Sequence, residues 1–302
     1  MIILLIKKHI MLTFLLVLLC ETFLFSSDAG KYCCAFLKIN TNAQREAMGN
    51  SNIALTGDVF SLVDNPAGLA KIEKFEAGFT YNQWFEDISH SFAGAAHSGK
   101  FGTLGLGAIY LSIDEFDSYD ASDVRQGTVG ANDTAIILGY AKGIGPVRLG
   151  ATGKYIKEVL DDVEGTGLAV DVGVQISILS KFMIGAGIYN VGTDVKFEDE
   201  DERLPLTKKV GLAYQHRLLT RPLILTVETQ NIDENYDTGV GCEYKILSLL
   251  KLRAGYVFDE ELEGTGLRAG AGFSFMDVTV DYSFSDKGIL DYTHMFSVKV
   301  KI

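Results

Sequence analysis

The sequence predicts an all-β chain, a fourteen-stranded antiparallel transmembrane β-barrel, and three observations carry that prediction. From residue 75 onward, apolar residues alternate with small or polar ones at a period of two, the strand period. The alternating segments often run 10–13 residues, against ~5–6 for ordinary strands and the ~9–11 that a tilted membrane strand needs. The chain also opens with a segment built like an export signal.

In residues 1–29, Lys7 and Lys8 precede an apolar run from Ile10 to Cys20, broken only by Thr13. Ser27-Asp28-Ala29 then offers small residues for cleavage. A basic start, a short apolar middle and a small-residue exit make a signal peptide, and the run is shorter than the ~20 residues of a spanning helix. Leu19 stands where a lipoprotein signal at Cys20 would want a small residue. Export permits disulfides, yet Cys33 and Cys34 are adjacent, a strained geometry for a bridge, and Cys242 falls on the apolar face of a strand. Three unpaired thiols are the favoured reading.

Composition excludes several classes. The 302 residues carry 27 Lys+Arg against 39 Asp+Glu, a formal net charge of -12, so the basic footprint of a nucleic-acid binder is missing. At 47% hydrophobic residues the chain is too apolar for disorder.

The barrel strands are read at 75–84, 89–98, 100–113, 132–142, 146–158, 165–178, 182–190, 207–216, 221–231, 236–247, 250–258, 264–275, 277–285 and 291–302. The clearest sets Leu168, Val170, Val172, Val174, Ile176 and Ile178 against Gly167, Ala169, Asp171, Gly173, Gln175 and Ser177. An apolar face opposite one of glycine and charge suits a lipid-facing wall around a polar lumen. Connections after odd-numbered strands are expected to be longer (114–131 and 191–206 above all), and those after even-numbered strands short. That sorting is the mark of a membrane barrel with its short turns in the periplasm, and it puts both termini on the periplasmic side. The long loops are acidic, with Asp114, Glu115, Asp117, Asp120 and Asp123 in one and Glu198 to Glu202 in the other. Neither has the spacing of a calcium loop, so solvated outward-facing loops are expected.

Residues 30–74 lack the alternation and are expected to sit in the periplasm or to plug the lumen, ahead of a barrel over 75–302. Ala43 to Leu55 suits a helix followed by a strand, and Asn65-Pro66-Ala67-Gly68 a rigid turn in which Gly68 allows positive φ. The run Arg45-Glu46-Ala47-Met48-Gly49, with Ala54, Asp58 and Asn65-Pro66-Ala67-Gly68-Leu69, resembles the N-terminal signature of the PorV/PorQ family of outer-membrane proteins. The chain departs from it at Asn50, where a second glycine is commoner, and at Ile302, where an aromatic residue usually ends such barrels. The resemblance implies a fold similar to the FadL-type fatty-acid channels, in which residues 30–74 are an N-terminal hatch carrying the N-P-A turn. It implies passage or binding of hydrophobic small molecules or, alternatively, a type IX secretion component that shuttles or anchors exported proteins.

Catalytic chemistry finds no support in the residues. His90, His97, His216 and His294 are scattered, no nucleophile elbow occurs, and no cofactor or metal site is expected. Arg148, Lys154, Arg253, Arg268 and Lys299 are placed facing the lumen with Asp171, Glu228, Glu243 and Asp281. They can pair with one another and with the hatch, the favoured reading, or draw in a carboxylate-headed ligand. The expected partners are outer-membrane lipid, a hydrophobic ligand or secretion proteins, and the expected state is a monomer.

Overall fold

Fourteen long strands, each hydrogen-bonded antiparallel to its neighbours in sequence, close into a ring when the last pairs with the first. The computed structural model describes residues 32–84, 88–120, 122–161, 163–197, 201–232, 235–258, 266–287 and 292–302. The expected signal peptide and the acidic residues Glu198 to Glu200 lie outside them. The first seven wall strands are β1 (Phe75–Gln83), β2 (Ile88–Gly99), β3 (Gly102–Tyr119), β4 (Arg125–Ile144), β5 (Val147–Leu160), β6 (Val163–Ile178) and β7 (Phe182–Gly192). Two-residue strands β8 (Val195–Lys196) and β9 (Asp201–Glu202) pair with each other over β6. The wall resumes with β10 (Thr207–Leu218), β11 (Arg221–Ile232), β12 (Asn235–Lys245), β13 (Leu250–Phe258), β14 (Leu267–Phe275), β15 (Val278–Asp286) and β16 (Tyr292–Lys301).

The alternation translates directly into an outside and an inside. On β6, Leu168, Val170 and Val172 are exposed, while Ala169, Asp171 and Gln175 are buried. A belt of such side chains around a closed wall is far larger than the few hundred Å² of apolar patch a soluble monomer tolerates. Closure leaves no unpaired edge, the condition for strands in hydrocarbon. The nine-residue strands β13, β14 and β15 are about 30 Å long. At a tilt of ~40° they span about 23 Å, close to the ~25 Å apolar band of outer-membrane barrels.

Strand ends differ from expectation on one side only. The six short turns fall where predicted, and Leu219-Thr220, both at positive φ (49° and 71°), makes a two-residue hairpin turn that follows the strand twist. At the other end β3 and β4 run on to Tyr119 and from Arg125, with register shifts after Ile113 and Ser118, so most of the predicted 114–131 loop is paired strand. Likewise β5 and β6 leave only 161–162 between them, and β11 and β12 only 233–234. The sequence has no period-two alternation there, so the pattern reads as loop. Backbone pairing beyond the membrane needs no apolar face, and the asymmetry lies partly in strand overhang rather than in loop length.

The N-terminal segment occupies the lumen. It comprises a 3₁₀ turn, η1 (Ala35–Lys38), the short helices α1 (Ala43–Ala47) and α2 (Ser61–Asp64), and a second 3₁₀ stretch, η2 (Pro66–Lys71). Helix α1 touches β13 to β16 and η2 touches β3 to β6, opposite parts of the wall. After α1 the chain turns instead of entering the expected strand, because Gly49 and Asn50 both take left-handed conformations (φ 63° and 60°). Asparagine tolerates that region. Ile302 lies at the short-turn end, whereas Cys34 bonds Glu158 near the far end of β5, so the described part of the segment runs from that opposite mouth down through the barrel.

Candidate ligand-binding site

Two physically different halves make up the lumen. On the β2–β6 side Phe60, Leu62 and Leu69 of the segment pack against inward Phe92, Ile109, Ile137 and Ile156, all fully buried. On the β10–β16 side the segment is held by ions. Arg45 places its guanidinium on Glu228 (Nη2 to Oε1 2.6 Å), and Glu228 also accepts from the Ile53 amide at 2.8 Å. Glu46 faces Arg268 and Lys287, each at 3.2 Å, and accepts from Ser285 at 2.5 Å. Asp58 pairs with Lys299.

These buried carboxyls are tuned in opposite directions. Burial alone would push Glu46 up, but Lys287, Arg268 and the hydroxyl of Ser285 overcome it and hold the group down at about 2. Burial wins at Asp64, which lies at about 6 although Arg45 is nearby and Asn42 donates to it at 3.0 Å. Burial and the charge of Arg148 bring the Lys71 amine down to about 7, where it donates to the carbonyls of Leu55 and Thr56.

The N-P-A-G stretch is lodged against the wall. Asn65 is fully buried; its Oδ1 accepts from the Ala67 amide at 3.1 Å, and its Nδ2 donates to the carbonyls of Ile53 and Val174 at 3.0 and 3.2 Å. Pro66 starts η2, where a missing N–H costs nothing. Wall glycines make the room: a Cβ on Gly150 would sit 2.3 Å from the Pro66 carbonyl carbon, and one on Gly173 2.0 Å from Asn65 Oδ1. Gly68 does not use the positive φ that glycine allows. Its place inside η2 requires space, since a Cβ there would come within 2.4 Å of Ser61 Oγ.

Each lumen charge read from the sequence has a partner. Arg253 bridges Glu243 (2.8 Å) and Asp281 (2.7 Å). Lys154 meets Asp171 at 2.8 Å, and Asp171 also accepts from Thr152 and the Asn190 amide. Glu228, Arg268 and Lys299 pair with the segment as above, while Arg148 is half-buried and donates to Ser177 Oγ at 3.1 Å. The sequence reading missed Arg45, Glu46, Asp58 and Asp64 as the other half of this network. Charges set among alanines, glycines and hydroxyls in a segment with no exposed face were the available signal.

Above the apolar half, at the mouth opposite the short turns, lies a cavity of about 560 Å³. Phe36, Ile39, Trp84, Leu111, Ile113 and Leu160 line it. Asn82, buried at 1% exposure, lines it too, and its Oδ1 has no hydrogen-bond partner among the described residues. The size falls within the ~300–1,000 Å³ of small-molecule sites. Charged and polar side chains, among them Glu46, Asp133, Glu158 and Lys287, share the lining with the apolar ones.

No protein-family model matches the chain, and no characterised protein matches it by sequence. Solved structures do match it in shape. The Pseudomonas putida toluene transporter TodX superposes with a TM-score of 0.62 at 11% identity, over 86% of this chain and 96% of that one. The Ralstonia pickettii toluene transporter TbuX gives 0.64 at 12%, over 85% and 97%. A Pseudomonas aeruginosa FadL homologue gives 0.58 at 10%, over 86% and 97%. This chain shares their fold. It is a FadL-like closed barrel, and the matches span nearly the full length of each neighbour.

Proposed function

We propose that this protein is an outer-membrane channel for hydrophobic small molecules, bound first in the 560 Å³ cavity. The observation that carries the reading is the continuity of that cavity with the apolar half of the lumen: Phe36 and Leu111 belong to both. Short turns and Ile302 face the periplasm, the overhanging hairpins face outward, and the N-terminal segment is the hatch. A ligand descending along β2–β6 displaces apolar contacts, whereas the β10–β16 side would require ion pairs to break. Partitioning supplies the energy, and no covalent chemistry is involved. Two neighbours in fold are named as toluene transporters, which supports an apolar cargo.

The PorV/PorQ-like motif in residues 45–69 favours a second reading, a shuttle or anchor for proteins exported by a type IX system. One experiment separates the two. Native mass spectrometry of the barrel extracted from its own membrane should show an apolar ligand, and Leu111→Asp should lower binding of added dodecanoate or toluene at least tenfold while the barrel still folds. A stoichiometric protein partner with no small ligand would overturn the channel reading.

A further inference from the structure

At the rim of the cavity, three metal-ligating side chains come together from distant parts of the chain. The Sγ atoms of Cys33 and Cys34 and a carboxylate oxygen of Glu158 all lie within 4.8 Å of one another. Both thiols are buried, at 4% and 0% exposure. Cys34 Sγ stands 3.3 Å from Glu158 Oε2, and the Cys34 amide donates to the same oxygen at 3.0 Å, which fixes the carboxylate. Cys33 Sγ faces the carbonyls of Glu202 and Arg203 at 3.6 and 3.4 Å.

The backbone is bent to achieve this. In an extended chain, adjacent side chains point to opposite faces, so neighbouring cysteines cannot serve one centre. Cys34 instead adopts a left-handed conformation, φ 56° and ψ 39°, which is unfavourable for a residue other than glycine. Its side chain makes no helix-capping bond that would account for it. Strain of this kind, where it persists, marks a functional constraint.

The geometry points to a cation site of the zinc class, formed by the Cys33 and Cys34 thiolates and the Glu158 carboxylate. With Zn–S of ~2.3 Å and Zn–O of ~2.1 Å, a tetrahedral centre needs S···O of about 3.6 Å. The Cys34–Glu158 separation is already close to that. Two thiolates and a carboxylate are a soft, triply negative set, which selects Zn²⁺ over Ca²⁺ or Mg²⁺. Binding would release the two thiol protons to solvent and leave a fourth position for water or one of the two carbonyls. The bound ion would staple the start of the N-terminal segment to β5 and to the 202–203 connection, beside Phe36. This inference does not depend on the channel reading.

The test uses the full chain, purified without a histidine tag, reduced, stripped of metal and titrated with Zn²⁺ and Co²⁺. One Zn²⁺ per chain is expected. Co²⁺ should give a thiolate-to-metal charge-transfer band in the near ultraviolet and d–d bands of tetrahedral intensity. Cys33→Ser/Cys34→Ser should abolish both, and Glu158→Gln should weaken binding at least tenfold, with heat-modifiable migration showing that the barrel folds. No stoichiometric Zn²⁺, a cobalt spectrum without thiolate character, or binding undiminished in the double variant would overturn the assignment. The cobalt spectrum of the unaltered chain decides the matter even if a variant fails to fold.

Discussion

Glu46 and Asp64 should give the seating of the N-terminal segment a stability maximum near pH 4–4.5. Glu46 is held at about 2 in the folded chain against an ordinary 4.5, so folding favours its charged form. At ~1.4 kcal/mol per pH unit this contributes about 3 kcal/mol, fully present above pH ~4.5 and lost as pH falls toward 2. Asp64 works the other way. Raised to about 6 from 3.8, it costs about 3 kcal/mol when charged, a penalty present above pH 6 and relieved as pH falls toward 3.8. Stability should therefore rise by about 3 kcal/mol from pH 7 to pH 4 and fall by a similar amount below that. Trp84 is the sole tryptophan and lines the cavity beside Phe36 and Ile39, so its fluorescence during guanidinium unfolding in detergent micelles reports on the segment. Glu46→Gln should erase the acid limb, and Asp64→Asn should erase the limb between pH 4 and 7. A flat profile for the unaltered chain, or an acid limb surviving in Glu46→Gln, would refute the reasoning.

Two further predictions test the wall. Gly150→Leu puts a side chain where the Pro66 backbone sits, so the barrel should still form while the segment is expelled; planar-bilayer conductance should increase and residues near 66 should become open to protease. Leu138→Arg, on the outer face at 62% exposure, should cost about 2–4 kcal/mol of stability in lipid and little in the segment's protection from exchange.

The wall was legible because one physical demand acts on every residue of it. Lipid on one face and lumen on the other impose period two over each crossing, and the fourteen segments read from the sequence coincide with the fourteen wall strands to within a few residues outside the overhangs. Where that demand ends, legibility ends with it. Beyond Ile113 no lipid sorts the faces of β3, and the pairing that continues to Tyr119 leaves no trace in the alternation.

The site was legible only in part, because inside the barrel two rules compete. Inward positions are polar where they meet the segment's ions, as at Glu228 and Arg268, and apolar where they meet its hydrophobic side, as at Phe92, Ile109 and Ile137. On β4, the run Ala135-Ile136-Ile137-Leu138 is apolar on both faces, Ile137 packing inward and Leu138 facing lipid. Period two cannot distinguish such a strand from noise, yet this loss of contrast marks the apolar half of the lumen. A strand apolar on both faces must have a hydrophobic neighbour on its inner side. In a barrel whose other inner faces are charged or glycine-rich, that neighbour is the N-terminal segment, and the cavity at the end of their contact is where a second hydrophobic body can fit.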